Sequence, residues 1–417
     1  MQYSEKILEL AAKAEKDLAP HFERIDRIAF ENTQRVMDAF REFRVSDSMF
    51  GSTSGYGYDD RGRDTLDEIW ANVMGAEAAF VRQQIVSGTQ ALTIGLFGLL
   101  RPGDLMLSVA GKPYDTLEEV IGIVGTPGDG SLRDFGVDYA QIELNDQGTF
   151  DYPAIRKALE DNMGRVKMVF VQRSKGYLNR RTLTVDEIGE LVKFVKGISP
   201  ESYVVVDNCY GEFVEDREPT AVGADMIIGS LIKNPGGGMA ESGGYLVGSA
   251  EAVELASYRL TVPGIGLEAG ATLGTTKQLI KGLFYAPHTV LQAMKTSHFA
   301  AAMFESYGYH CNPTALEARS DIIQTVDCKT RELLLAFCGG IQAGSPVDSY
   351  VTPEGWAMPG YNDEVVMAAG AFVQGSSIEL SADAPIRPPF RVYMQGGLTY
   401  ESGKYGILTA LEKMGHG

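Results

Sequence analysis

Between residues 77 and 248 the sequence alternates short apolar runs with amphipathic segments, and this alternation is the strongest constraint on its fold. The apolar runs have the length and the β-branched content of buried strands, and they are Phe80–Val86, Leu105–Val109, Val166–Val171, Tyr203–Val206, Met226–Ile228 and Gly244–Val247. Several of them are separated by segments typical of helices, which are Ala91–Leu100, Thr116–Ile123, Pro153–Glu160 and Val185–Val195. Strands joined by crossover helices predict an α/β domain with a mostly parallel sheet covered on both faces. Ligands of such sheets bind at the carboxyl ends of the strands.

The regions on either side of this alternation have other patterns. Apolar positions at helical spacing run from residue 4 to about residue 44, and Pro20 is expected to begin a second helix there. Residues 268–307 are also helical in pattern, and a helix is expected over Glu401–Met414. Between them a smaller α+β region is predicted, with short strands near Ser320–Val326, Glu364–Ala368, Ser376–Leu380 and Phe390–Tyr393. A chain of 417 residues is too long for one compact core, so we predict an N-terminal helical segment (1–50), a large α/β domain (51–307) and a small C-terminal domain (308–417).

Composition excludes several classes of partner. The net charge of −18, from 37 basic and 55 acidic residues, opposes binding to nucleic acid or to anionic lipid. The longest apolar run has roughly half the ~20 residues that a membrane span needs. The first twenty residues mix both charges, so no signal peptide is predicted. The four cysteines show no C-x-x-C spacing, and with five scattered histidines they predict reduced thiols, no metal site and a cytoplasmic protein.

Two residues of complementary chemistry directly follow predicted strands. Asp207 ends one apolar strand, and Lys233 follows another, just before a glycine-rich stretch. A lysine at such a place is poorly solvated, and we expect burial to lower its pKa and make it nucleophilic. Pyridoxal 5′-phosphate (PLP) requires a lysine amine for its Schiff base, and an acid beside its pyridine nitrogen. Taken singly, Lys233 is equally an exposed loop lysine and Asp207 a helix cap.

The other parts of a PLP site also lie where predicted strands end. A turn that opens a predicted helix carries Ser87, Gly88 and Thr89. Free backbone N–H groups and the positive end of that helix would bind a phosphate, although serine and threonine also simply cap helices. Ser230 lies three residues before Lys233 and could reach the same phosphate. Tyr114 follows the strand that ends near Val109, where its ring can stack on a pyridine face.

Taken together, these residues resemble the cystathionine β-lyase-like or methionine γ-lyase-like aluminium-resistance family, in the cysteine and methionine branch of fold-type I PLP enzymes. The resemblance covers nearly the whole chain, and its motifs are SGYGYDDRGRDTLDEIWANVMGAE, SGTQAL, GKPYDTLEEVIG, VVVDNCYGEF, GSLIKNPGGG and PPFRVYMQGG. It implies a large PLP-binding domain with a mostly parallel seven-stranded sheet and a smaller C-terminal α+β domain. These motifs are more specific for the cofactor than for the reaction.

The resemblance also implies a role for each candidate residue. Lys233 is similar to the Schiff-base lysine, Asp207 to the pyridinium partner, and Tyr114 to a stacking tyrosine that assists proton movement. Arg391 is similar to the arginine that pairs with the substrate α-carboxylate, for which a bidentate guanidinium is suited; alone, it is equally a surface arginine of an edge strand. The phosphate cradle of the relatives is matched by Gly88, Thr89 and Ser230.

Relatives also share their active sites between subunits, through a tyrosine and an arginine of the loop before the first core helix. Here that loop offers Tyr56, Tyr58, Arg61 and Arg63. We expect Tyr58 to reach a substrate site, and the chain to form a homo-oligomer, either a dimer or a tetramer. The tyrosines are equally packing residues.

The sequence departs from the family pattern at two places. Ile232 stands immediately before the lysine, where relatives commonly have a hydroxyl residue that contacts the phosphate. The Ser-Asn-Pro segment that often touches the ring oxygen is not visible, and Gln172-Arg173-Ser174-Lys175 occupies that strand end, where Arg173 or Ser174 is the candidate substitute. These departures leave the substrate and the reaction open.

The sequence therefore predicts a PLP-dependent carbon–sulfur lyase that acts on a small sulfur-containing amino acid, in the manner of cystathionine β-lyase or methionine γ-lyase. One alternative is an aminotransferase, or another amino-acid reaction on the same fold. An alternative from a different class is a binding protein that confers metal tolerance through its acidic surface, although the acidic residues are spread along the chain.

Overall fold

The computed structural model describes residues 3–357 and 363–416. The predicted ranges 1–50 and 308–417 include residues 1, 2, 358–362 and 417, which lie outside the described residues. Within the described part, the strands form two sheets, the larger of which has seven strands in the order β1-β7-β6-β5-β4-β2-β3. These strands are β1 (Ala78–Arg82), β2 (Leu105–Ser108), β3 (Asp138–Gln141), β4 (Val166–Gln172), β5 (Tyr203–Asp207), β6 (Met226–Ser230) and β7 (Gly244–Gly248).

The large sheet confirms the predicted architecture. Strands β3, β2, β4, β5 and β6 are parallel, whereas β7 runs antiparallel to both β6 and β1. Successive residues of β5 point to opposite faces, so Val204 and Val206 join one core while Val205 joins the other. The edge strand β3 was not predicted, because its polar residues are only partly covered and form no apolar run.

Helices cover both faces of this sheet. Helices α3, α4 and α7 pack on one face, and α2, α5, α6 and α8 pack on the other. Their bounds are α2 (Arg61–Met74), α3 (Gly88–Leu99), α4 (Asp115–Ile121), α5 (Tyr152–Asp161), α6 (Val185–Ile198), α7 (Ala250–Leu260) and α8 (Thr276–Ser306). Among the described residues, none of the helices combines the length and the hydropathy that crossing a bilayer demands.

The N-terminal segment differs from the prediction at Pro20. It is one helix, α1 (Glu5–Glu42), and Pro20 lies inside it. A proline removes one helical hydrogen bond and normally kinks or ends a helix. Here the apolar stripe that includes Leu18 and Ile25 continues across the proline and is buried. Packing of α1 against α8 therefore offsets the local cost at an exposed turn.

The smaller sheet is antiparallel and has the order β10-β11-β12-β13-β9-β8, with helix α9 (Arg331–Ala343) packed against it and helix α10 (Tyr400–Lys413) packed against α9 and α8. Its strands are β8 (His310–Asn312), β9 (Gln324–Asp327), β10 (Gly355–Ala357), β11 (Glu364–Ala368), β12 (Ser381–Pro385) and β13 (Arg391–Gln395). The prediction of a strand over Ser376–Leu380 was wrong, since β12 begins at Ser381. An aspartate and a proline disfavour a strand there, but pairing with both β11 and β13 overrides that preference.

Candidate active site

The carboxyl ends of β5 and β6 bring Asp207 and Lys233 together. The two strands are paired in register, with Asp207 opposite Ile228, and the chain leaves β6 at Ser230 to reach Lys233 in a short turn. The Lys233 ammonium lies 4.1 Å from the ring centroid of Tyr210. Tyr210 has a φ of 72°, which is uncommon for a residue other than glycine. A lysine, an aspartate and an aromatic ring therefore meet at one edge of the sheet.

Electrostatics around Lys233 differ from the expectation. Burial alone lowers the pKa of Lys233, but the acidic groups of Cys209, Tyr210, Asp207 and Glu212 outweigh it and raise the pKa above its ordinary value. Burial likewise raises the pKa of Asp207, and the Lys233 charge opposes that rise. The predicted lowering of the Lys233 pKa was wrong because the sequence does not show how many acidic groups converge on the ammonium.

Glu212 is a site residue that the sequence reasoning missed. Its carboxyl group is fully buried, Oε1 accepts a 2.7 Å hydrogen bond from the Tyr245 hydroxyl, and burial raises its pKa to about 8. The Asn234 side chain donates to the Glu212 carbonyl at 3.1 Å, which ties this residue to the turn that carries Lys233. Its place five residues after Asp207, in the VVVDNCYGEF motif, was the available signal.

Another lysine, Lys175, is buried and provides a useful contrast. Burial lowers its pKa to about 8. Its Nζ donates to the backbone oxygen of Asn312 at 3.2 Å, in strand β8 of the small domain. An argument from pKa alone would select Lys175 as the nucleophile. The position of Lys233 beside Asp207 favours Lys233 instead.

The start of α3 forms a cradle beside Ser230. A Cβ atom added to Gly88 would lie 3.3 Å from the Ser230 Cβ, so the backbone approaches this serine closely. The Ser87 hydroxyl accepts a 3.1 Å hydrogen bond from the Gln90 N–H and so caps the helix, while the Thr89 hydroxyl lies 2.7 Å from that of Thr116. The N–H groups at the start of α3, together with the hydroxyls of Thr89 and Ser230, are suited to binding a phosphate. With the amine and the acid nearby, the donor set fits PLP.

Aromatic rings line the side of the site that faces the small domain. Tyr114 precedes α4, and its ring centroid lies 5.9 Å from that of Tyr177. Tyr177 in turn lies 4.9 Å from Tyr393 of β13, whose hydroxyl donates to the Tyr177 backbone oxygen at 2.7 Å. Tyr177, in the loop after β4, and its hydrogen-bonded neighbour Asp383, in β12 of the smaller sheet, were both missed.

Arg391 begins β13, which pairs with both β12 and β9, so the alternative of an edge-strand arginine was wrong. Its Nε and Nη2 donate to the two carboxylate oxygens of Asp327 at 2.6 and 3.0 Å, and Nη1 donates to Asn179 at 2.6 Å. The Asp327 carboxylate raises the Arg391 pKa. The pairing of Arg391 with a substrate carboxylate stays a prediction. It requires the guanidinium to exchange the Asp327 carboxylate for that of the substrate.

The loop before α2 presents its aromatic residues to solvent. Tyr56 and Tyr58 are 73% and 52% exposed, and their rings stack at 5.5 Å. Arg61 is exposed, whereas Arg63 is buried and donates to the Gly57 backbone oxygen at 2.6 Å. Arg63 therefore holds the loop in place, while the other three residues are accessible.

Arg173 lies beneath the site in a buried ionic network. Its guanidinium donates to Glu215 at 2.7 Å and to Asn208 at 2.8 Å, and it lies 3.6 Å from a Glu218 carboxylate oxygen. The two carboxylates neutralise the Arg173 charge, and the hydrogen bond to Asn208 holds the residue that follows Asp207. Across residues 3–357 and 363–416, no group of three or more His, Cys, Asp or Glu side chains has a metal-binding arrangement.

Comparisons with known proteins agree with this geometry. The family model for methionine gamma-lyase matches residues 7–415. The protein YnbB of Bacillus subtilis (strain 168) is 49% identical over 414 residues, which cover 99% of this chain and 98% of YnbB.

Solved structures show the same relationship. A carbon-sulfur lyase involved in aluminum resistance from Clostridium novyi NT is 48% identical, with a TM-score of 0.95 over 98% of this chain and 96% of that chain. The pyridoxal-5′-phosphate dependent protein YhfS from Escherichia coli is 16% identical and has a TM-score of 0.62 over 93% of this chain and 96% of that chain, which shows the shared fold. The resemblance stated from the motifs is confirmed, and the chain belongs to the methionine gamma-lyase family.

Proposed function

We propose that this chain is a PLP-dependent carbon–sulfur lyase that eliminates a thiol from a sulfur-containing amino acid, by cystathionine β-lyase or methionine γ-lyase chemistry. The observation that carries the proposal is the meeting of Lys233 and Asp207 at adjacent strand ends, near the start of α3, where Gly88 closely approaches Ser230. Membership of the methionine gamma-lyase family supports the reaction class. We also propose a cytoplasmic location, because the four cysteines are buried free thiols.

The roles of the residues follow from their positions. PLP, when bound, supplies an aldehyde for an amine and an electron sink for a substrate that loses its α-proton. Lys233 would hold the cofactor through Nζ, and the same atom, when free, would take the α-proton. Asp207 would keep a proton on the pyridine nitrogen, and the start of α3 with Ser230 would bind the phosphate. Tyr114 would cover the ring face, and its hydroxyl would move a proton toward the departing sulfur.

The products provide the direct test. A β-elimination breaks the Cβ–S bond and a γ-elimination breaks the Cγ–S bond, and addition of one water then yields a thiol, ammonia and a 2-keto acid. We expect the PLP-loaded protein to release all three in equal amounts from L-cystathionine or L-methionine. Conversion of the cofactor to its amine form without thiol release would instead indicate transamination and contradict the proposal.

We further propose a homo-oligomer in which the accessible loop residues Tyr56, Tyr58 and Arg61 complete a neighbouring site. Their exposure supports this, because a stacked aromatic pair beside an arginine is costly to leave in water. Arg63 fixes the loop from below and so reduces the ordering cost of binding a partner.

Mixing two inactive variants tests this sharing. A Tyr58→Phe/Arg61→Ala loop variant and a Lys233→Ala variant should each have little activity, and a reassembled mixture should regain part of it. Recovery is expected because some sites combine an intact loop from one subunit with an intact lysine from the other. A mixture of Lys233→Ala and Asp207→Asn is the matched control, since both lesions lie in the same subunit's site. If subunits exchange, as measured by native mass spectrometry, and no activity returns, the sharing is wrong.

A further inference from the structure

Asp383 is a buried acidic residue on the small-domain wall of the site. It lies in β12, is only 9% exposed, and pairs across the sheet with Tyr393, which contacts Tyr177. The Gln395 side chain donates to its Oδ2 at 3.2 Å, and Tyr177 also hydrogen-bonds to the carboxyl group. Because Tyr177 lies beside Tyr114, Asp383 belongs to the group of side chains that faces the proposed reaction centre.

The two described side chains that hydrogen-bond to this carboxyl group, Gln395 and Tyr177, are neutral. Within the described ranges, no Lys, Arg or His nitrogen lies within 4.0 Å of Asp383. Burial raises the pKa of Asp383. The Lys233 charge opposes this rise, so the two side chains interact electrostatically. A buried carboxylate without a cation is unfavourable. A carboxylate has about four lone-pair positions for donors, so two neutral donors leave capacity for another.

Asp383 and the residues that would hold the cofactor come from different sheets. Asp383 lies on the small-domain side, beside the Tyr177 and Tyr393 rings. Asp207 and the cradle of α3 lie on the large-domain side. The part of a substrate that projects toward the small domain is therefore the part that would meet this carboxylate.

We propose that Asp383 is a specificity-determining residue that selects substrates whose departing thiol carries a positively charged amine, such as aminoalkyl thioethers, over substrates with an uncharged thioether. This inference rests on the proposed lyase function. Gln395 and Tyr177 hold the carboxylate, and the substrate ammonium takes the position opposite them. A hydrogen bond to a charged group in a buried site is stronger than one between neutral groups. Methionine offers no such group, whereas the distal half of cystathionine does.

A pair of substrates of the same shape tests the assignment. S-(2-aminoethyl)-L-cysteine and S-propyl-L-cysteine differ by an ammonium against a methyl group at the end of the departing thiol. We expect the wild-type holoenzyme to prefer the aminoethyl compound in kcat/KM by roughly 10- to 100-fold, as for one charged hydrogen bond. Asp383→Asn should remove most of this preference, because the loss of kcat/KM should fall much more heavily on the aminoethyl compound than on the S-propyl compound. The loss should appear mainly in KM, because the contact exists before the bond breaks.

Two further variants separate charge from structure. Asp383→Glu retains the charge and should retain a preference for the aminoethyl compound. Asp363→Asn removes a small-domain acid that pairs with Arg387 near the surface, and it should change neither substrate. If Asp383→Asn does not fold, the wild-type preference decides, since a ratio below about threefold overturns the assignment.

The outcomes also separate this inference from the function on which it rests. Thiol release from neither compound sinks the lyase function, and the inference falls with it. Equal efficiency on both compounds sinks only the role of Asp383. An equal loss on both compounds in Asp383→Asn also overturns it, because the residue would then act on the shared amino-acid half or on the fold.

Discussion

Replacement of Lys233 by alanine is expected to abolish covalent retention of PLP and to lower thiol release by roughly 10³-fold or more, in line with the ~10²–10⁴ that a general base contributes. The effect is large because one atom, Nζ, has two tasks, holding the cofactor and removing the α-proton. The partly buried ammonium lies over Tyr210 and beside Asp207, so no other described lysine can take its place without moving the chain. The fold should tolerate the change, because Lys233 forms no ion pair with a described residue of the kind seen at Arg173.

Borohydride reduction followed by peptide mapping measures this directly. Reduction should fix PLP onto the peptide that contains Lys233, and the variant should show neither the label nor the visible absorption of the loaded enzyme. Lys175→Met is the matched control, since Lys175 is the buried lysine whose pKa is lowered to about 8. It should still be labelled at Lys233. A label on Lys175, or turnover in Lys233→Ala without an added amine, would contradict the assignment.

Addition of a small primary amine to Lys233→Ala distinguishes the loss of the catalytic base from a structural collapse of the site. Added amine should restore part of the Lys233→Ala activity, because it can enter the space left by the side chain and remove the proton. Failure of rescue with a protein that still binds PLP would mean that Lys233 acts by position rather than as a base.

The sequence predicts those parts of the site that depend on chain order along the sheet. Asp207 and Lys233 each follow an apolar run, and parallel strands place such positions on one edge whatever the side-chain details. It does not predict what depends on contacts between domains. Asp383 reaches the site only because β12 begins at Ser381, and a local pattern that includes a proline gave no sign of that register.

The same distinction explains two further errors of local reasoning. Pro20 was expected to begin a second helix, but the apolar stripe of α1 is buried on both sides of it, and tertiary packing overrides the local preference. The Lys233 pKa was expected to fall from burial, but burial was only one contribution. Asp207 ends the neighbouring strand β5, and Glu212 lies in the turn that follows it. Their combined effect on the Lys233 pKa is visible only in the three-dimensional structure.

Replacement of Arg173 by methionine is expected to lower the free energy of unfolding by roughly 3 kcal/mol, at the lower end of the cost of leaving a buried charge unpaired. The guanidinium is fully buried, and Glu218 beside it is also buried. Glu218 keeps hydrogen bonds from Phe213 and Asn208, and the Arg35 charge still lowers its pKa. The expected loss of unfolding free energy therefore stays below the largest values for an unpaired buried charge. Urea unfolding measures the change. Arg181→Met is the matched control, since its pair with Glu187 is partly exposed and should be worth about 1 kcal/mol or less.

Acid should reduce the Arg173→Met deficit, and the sign follows from linkage. Burial already raises the pKa of Glu218, and removal of the neighbouring cation raises it further. A carboxyl group whose pKa is higher in the folded state binds more protons there, so the stability of the variant relative to wild type rises as pH falls through that pKa toward the unfolded value. A Glu218→Gln change in the same variant should recover part of the loss at neutral pH, because no unpaired charge remains. Equal and small losses in Arg173→Met and Arg181→Met would show that the buried network contributes little, and that Asn208 and the adjoining Asp207 are held by the strand alone.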